Sequence, residues 1–114
     1  MPYFRIATNT KELPDRNTFL KECSAFIAGL LNKSEKYVMI ELNTDSSMIF
    51  GSKTDALAYI ELKSIGLPAD QTKDFSEKIC DFITKHFNID RSRIYIEFSD
   101  VERHKWGWNG STFA

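Results

Sequence analysis

Apolar and polar positions along the chain fall into two registers, one with the period of a strand and one with that of a helix. Residues 3 to 8, YFRIAT, alternate, which puts Phe4 and Ile6 on one face of a β-strand. LPD then opens a helix in which Phe19, Leu20, Cys23, Phe26, Ile27, Leu30 and Leu31 recur at helical spacing. YVMIELN at 37 to 43 alternates again. The second half repeats the plan. LAYIELKS at 57 to 64 reads as a strand, LPAD starts a helix with the stripe Phe75, Ile79, Phe82, Ile83 and Phe87, and RIYIEFS at 93 to 99 is the closing strand. Phe26 and Phe82, Ile27 and Ile83, Asn32 and Asn88, Val38 and Ile94, Ile40 and Ile96, and Glu41 and Glu97 all stand 56 residues apart, which marks an internal repeat.

Two strand-helix-strand units side by side predict an α/β (α+β) fold. Right-handed crossovers give one four-stranded sheet with both helices on the same face. The other face would carry Tyr3, Arg5, Tyr37, Met39, Glu41, Tyr59, Glu61, Lys63, Arg93, Tyr95 and Glu97, a mixture of aromatic and charged groups. A surface so wide and half-apolar, with open sheet edges beside it, argues for self-assembly. The tail DVERHKWGWNGSTFA, from 100 to 114, matches neither helix nor strand by pattern. It holds both tryptophans and Phe113, so it is expected to dock rather than fray.

Length and charge narrow the function. The 114 residues suit one domain, 1–114, with a single core. A net charge of -1 with interspersed acids and bases gives no basic stripe for phosphates, so nucleic acid is not an expected partner. No apolar run approaches the roughly 20 residues needed to cross a bilayer, and no signal peptide pattern is present. No membrane partner is expected, and the expected location is the cytoplasm. Cys23 and Cys80 lie singly in helical patterns and read as buried thiols. His86 and His104 lack ligand spacing, so no metal is expected, and no phosphate- or dinucleotide-binding motif calls for a cofactor. GSK at 51 to 53 reads as a turn.

One position has unusual chemical potential. If Met1 is trimmed, Pro2 presents a free secondary amine at the first residue of a folded strand, a candidate general base. If Met1 is retained, the amine belongs to Met1 and Pro2 is an amide. Lys33, taken alone, reads as a solvated lysine beyond a helix C-terminus.

Pro2, Lys33 followed by Tyr37, MIFG at 48 to 51, SIG at 64 to 66, RIYI at 93 to 96 and WNGSTFA at 108 to 114 form an ordered set over the whole chain. This set resembles the macrophage migration inhibitory factor family of the tautomerase superfamily. The resemblance implies a single tautomerase-like domain of two βαβ repeats, assembled as a homotrimer. It implies keto-enol tautomerisation of small aromatic 2-oxo acids of the phenylpyruvate type, with Pro2 as general acid and base and no cofactor. Lys33 and the backbone N–H of Ile65, flanked by Ser64 and Gly66, would receive the substrate's oxygens. Tyr95 and Glu97 would reach the site of a neighbouring subunit. Trp106, Trp108, Tyr37 and Phe113 would wall a phenyl ring.

The chain departs from the family pattern in three places. Glu97 replaces a familiar asparagine, and a carboxylate there would raise the Pro2 ammonium pKa and repel an anionic substrate. Trp106 replaces a smaller aliphatic residue. Leu57, Ala58, Tyr59 and Ile60 stand where some members carry a CxxC pair, so thiol-disulfide exchange is not expected. Two other functions fit the resemblance. One is a different superfamily reaction through a protonated Pro2, which would need an arginine pair or acid that Arg5, Arg91 and Arg93 do not convincingly supply. The other is a cytokine-like signalling protein with a protein receptor, exported without a signal peptide and keeping the pocket as a relic.

Overall fold

A computed structural model describes residues 1–11 and 13–114. The four long strands are β1 (Tyr3–Thr8), β2 (Met39–Asn43), β3 (Ala58–Ile65) and β4 (Ile94–Val101), and the helices are α1 (Arg16–Leu31) and α2 (Thr72–His86). The sheet order is β2-β1-β3-β4. β1 and β2 are parallel, as are β3 and β4, and the two units meet through the antiparallel β1–β3 pair. This is the α+β arrangement that the alternating registers imply, and among the described residues no helix is long and apolar enough to cross a membrane.

Period-two alternation builds the core. Phe4, Ile6, Ile60 and Leu62 point to the helix-covered side and are fully buried, where Cys23, Ile27, Ile79 and Ile83 of the helices meet them. The repeat-related Phe26 and Phe82 stack across the helix pair at 4.3 Å. Both cysteines are buried and free, as their helical spacing implies. Burial pushes the Cys23 thiol up to about 12. His86 packs its ring on Phe19 and Phe82, and its Nε2 lies 3.3 Å from Glu22 Oε2 without the alignment of a hydrogen bond.

The opposite sheet face carries a network that follows the repeat. The Tyr3 hydroxyl donates to Glu41 and the Tyr59 hydroxyl to Glu97, two pairs at equivalent positions of the two halves. Arg5 stands between Glu41 and Glu61, 3.8 Å from the first and 3.3 Å from the second. The carboxylate contacts push the Tyr3 hydroxyl up to about 12 and raise that of Tyr59.

Three expectations need correction. β2 begins at Met39, because Glu35–Tyr37 form a 3-10 turn capped by the Ser34 side chain, which accepts from the Lys36 N–H. Tyr37 therefore stands beside the sheet. Arg93 leaves the open face too. It ends the 3-10 turn Arg91–Arg93 and donates to the carbonyls of Phe50, Lys53, Asp55 and Ala56, clamping the loop before β3. The tail does contain regular structure, a 3-10 turn (Arg103–Lys105) followed by the hairpin strands β5 (Gly107–Trp108) and β6 (Ser111–Thr112). Asn109 and Gly110 join them with φ of 52° and 75°, the left-handed pair that a two-residue hairpin turn requires. The GSK segment is a turn as read, closed by paired backbone hydrogen bonds between Phe50 and Lys53.

Candidate active site

The first residues are fixed from both sides of β1. The Pro2 carbonyl accepts from the Met39 N–H at 3.0 Å, and Pro2 is fully buried. Tyr3 follows, in register with Met39 of β2 and Lys63 of β3. This end of the sheet opens into a cavity of about 810 Å³. Of the residues expected at a site, Pro2, Tyr37, Trp106, Trp108 and Phe113 line it together.

The hairpin turns the tail back over the 3-10 turn before β2 and so assembles an aromatic wall. Trp108 and Phe113 stack at 5.6 Å, and each meets the Tyr37 ring edge-on, at 5.4 and 5.9 Å. Trp106 borders the cavity and is held by backbone contacts, donating to the Arg103 carbonyl and accepting from the Phe113 N–H, both at 3.3 Å.

Lys33 is placed by the end of α1. Asn32 adopts a left-handed conformation with φ of 53°, and the Lys33 N–H returns to the Ala28 carbonyl at 2.9 Å. The chain then turns so that Lys33 Nζ donates to the Ile65 carbonyl at 3.1 Å. Lys33 and Ile65 thus meet, through the carbonyl rather than the N–H. Gly66, with φ of 70°, makes the following turn possible, and the Leu67 N–H donates to Asp100 to fix it. Ser64 shares the parity of Ile60 and Leu62, so its side chain is buried on the helix side, 3.4 Å from the Ile65 carbonyl.

Electrostatics at the chain start are perturbed. With Met1 in place the terminal amine is Met1's, and burial, then Lys33 and Arg103, hold its pKa below the ordinary 8.0. Each of these causes disfavours the cation, so the group is neutral at a lower pH than a free terminus.

Lys33, Ser64, Ile65, Tyr95 and Glu97 are not part of the cavity lining. Tyr95 pairs with Tyr59, four residues and roughly 13 Å along β3 from Lys63 of the lining, and Glu97 pairs with Glu61, across the sheet from Glu41 of the lining. Tyr95 is largely exposed and rests on Phe50 at 4.5 Å, while Glu97 holds the Tyr59 hydroxyl. One chain therefore does not bring these two residues to Pro2. Sequence reasoning missed Lys36, Lys63 and Lys105, which line the cavity. The parity of Lys63 with Tyr59 and Glu61 was the signal for one of them. Among the described residues no cluster of three or more His, Cys, Asp or Glu could hold a metal.

The family model for macrophage migration inhibitory factor matches residues 1–114. The chain is similar to the macrophage migration inhibitory factor of Xenopus tropicalis, with 39% identity over 117 residues covering 100% of both chains. Among solved structures it is similar to a homologue from Prochlorococcus marinus, with 42% identity, a TM-score of 0.93 and coverage of 98% of this chain and 99% of that one. The factor from Trichinella spiralis gives 33% identity, a TM-score of 0.91 and coverage of 96% and 98%.

Proposed function

The chain belongs to the macrophage migration inhibitory factor family, and we propose that it is a keto-enol tautomerase of small aromatic 2-oxo acids such as phenylpyruvate, working in the cytoplasm with the amine of Pro2 as general acid and base. The observation that carries this reading is a buried Pro2 at the foot of a cavity walled by Tyr37, Trp108 and Phe113. The wall suits a phenyl ring.

The chemistry needs a base that is neutral near pH 7 beside a carbon acid. Once Met1 is removed, the chain's amine is the Pro2 nitrogen, one residue deeper than the terminus whose cation is already disfavoured by burial, Lys33 and Arg103. The amine takes the proton from the carbon next to the ketone, and negative charge moves to the ketone oxygen. Lys33 has two N–H donors beyond the one given to Ile65, and these receive the oxygen or the carboxylate. The Pro2 ammonium then returns its proton to the oxygen, giving the enol. The proline ring limits rotation about the first residue and keeps the nitrogen aimed along the strand.

The exposed side chains of Met39, Ile49 and Tyr95 on one chain favour a homotrimer. In that assembly Tyr95 and Glu97 serve the site of the adjacent subunit. Replacement of Pro2 by glycine, assayed with phenylpyruvate on protein whose mass shows Met1 removed, tests the reading. Loss of turnover on folded protein is the expected result. Turnover that survives in the variant removes Pro2 from the chemistry, and absence of turnover in the wild type favours a binding protein with a relic pocket.

A further inference from the structure

The cavity is much more basic than the chain that forms it. Overall the chain has 15 Lys and Arg against 16 Asp and Glu. Around the cavity, Lys36, Lys63 and Lys105 belong to the lining, and Lys33 and Arg103 act on the terminal amine. Among the described residues, the one carboxylate that this chain itself brings to the lining is Glu41, and it is already engaged by the Tyr3 hydroxyl, by Asn43 at 3.0 Å and by Arg5.

The three lining lysines come from separate segments, the 3-10 turn before β2, β3 itself and the 3-10 turn before the hairpin. They are spread around the opening rather than along one solvated helix. Among the described residues neither Lys36 nor Lys63 is paired with an acid, and Lys36 holds its Nζ 5.4 Å from the Tyr37 ring centroid, against the aromatic wall. Lys105 is 3.4 Å from Glu102, and both side chains are well exposed, a pair that exchanges readily for a better anion. A mono-acid held by Lys33 leaves all three lysines unanswered.

We propose that the cavity selects an aromatic acid with two carboxylates, the second placed on the ring and held by Lys36, Lys63 and Lys105. The proposal narrows the substrate class of the tautomerase reading, and it rests on that reading only for the reaction, since the recognition is a matter of charge and ring stacking. A tautomerisable member of the class is a phenylpyruvate with a ring carboxylate.

The test uses terephthalate and benzoate, which share the ring and differ by one carboxylate. Neither carries a proton next to a ketone, so the result is independent of Pro2 chemistry, and failure of the tautomerase reading leaves it in force. Binding is followed by the fluorescence of Trp106 and Trp108, both of which border the cavity. At low ionic strength terephthalate is expected to bind about tenfold more tightly than benzoate, and the ratio should shrink as salt approaches physiological levels. Lys36→Gln and Lys105→Gln should each lower the ratio, whereas Glu102→Gln, which frees Lys105, should raise it. Lys73→Gln, on α2, controls for net charge and should leave the ratio where it was. Equal binding of the two acids overturns the proposal, and so does a ratio that responds to Lys73→Gln as much as to Lys36→Gln and Lys105→Gln.

Discussion

The two halves of the chain build the same scaffold and finish it differently. Ser34 and Asp90 are equivalent in the repeat, and each caps a 3-10 turn, accepting from the N–H two residues on. The turns themselves, Glu35–Tyr37 and Arg91–Arg93, superpose in sequence, and each delivers the chain into an outer strand. At the last residue of the turn the halves diverge. Tyr37 faces a cavity and receives two rings of the tail. Arg93 faces four carbonyls of the loop 50–56 and lays its guanidinium 5.2 Å from the Phe50 ring centroid. Pro2 stands just before β1, while its equivalent Ala58 follows a loop and is simply packed. A duplicated fold thus offers two similar sheet ends, of which one is filled by its own backbone and the other opens into a cavity.

The sharpest way to break this contrast lies in the first residue. If the open end is catalytic because it holds a buried amine, protein that keeps Met1 should turn over phenylpyruvate about 10²- to 10⁴-fold more slowly than protein that begins at Pro2. The two forms separate by intact mass. The pH profile carries a sign. The cation at this chain start is disfavoured, so kcat/KM should rise with pH through a midpoint below that of a free terminal proline amine, and Lys33→Gln, which removes one cause of the depression, should move that midpoint upward. Equal rates for the two forms would dissolve the chemical difference between the ends.

The filled end makes the complementary prediction. Arg93→Ala leaves four carbonyls without their charged donor and should lower unfolding free energy by about 2 kcal/mol in urea. Tyr37→Ala, at the equivalent position, should act mainly on ligand affinity by removing the centre of the aromatic wall. Comparable losses of affinity in both variants would mean that the two ends are not functionally distinct.

A third difference is carried by the helices. Cys23 of α1 and its equivalent Ile79 of α2 are both fully buried, yet only one can titrate. Cys23 keeps its proton to about 12 in the folded chain, whereas the unfolded thiol loses it near 9.0. Above pH 9 the unfolded state therefore binds fewer protons than the native state, and stability falls as pH rises toward 12, by up to about 1.4 kcal/mol per unit from this group. Cys23→Val should flatten that part of the curve in urea unfolding at pH 8 and pH 10.5. An unchanged slope would show that the thiol is already exposed in the native state.

What was legible in the sequence follows from the same contrast. Period-two alternation needs only burial on one face, so β1 was read to the residue and the core sides of β3 and β4 were correct. Parity also fixes Ser64 toward the helices, in phase with Ile60 and Leu62 and away from the substrate that the resemblance assigned to it. β2 was extended through Tyr37 because a 3-10 turn of three residues has no period of its own. Arg93 shares the parity of Tyr95, yet four carbonyls outcompete solvent for its guanidinium. The residues of the open end were harder. Lys36, Lys63 and Lys105 lie on three segments, and nothing in their spacing announces that the tail folds back to gather them. Tyr95 and Glu97 lie outside this chain's cavity for a related reason, since register places Tyr95 well down the sheet from Lys63 and Glu97 across the sheet from Glu41.

The smallest expected effect concerns the piece that has no counterpart in the repeat. The hairpin closes the open end by placing Trp108 and Phe113 on Tyr37, and its turn is made by Asn109-Gly110, the dipeptide that best tolerates two successive positive φ values. Gly110 has open space where a side chain would go, so Gly110→Ala meets no clash. Its cost is conformational, about 1 kcal/mol for forcing an alanine to φ of 75°. The strands of this hairpin are two residues long and exposed, with the core elsewhere. The strain should therefore be relieved by local opening rather than global unfolding. Urea midpoints should move little, while Trp108 fluorescence shifts to the red and ring ligands bind several-fold more weakly. A variant that loses global stability but keeps its ligand affinity would place the hairpin with the scaffold, and the two ends of the sheet would then differ only in what the chain's first residue brings.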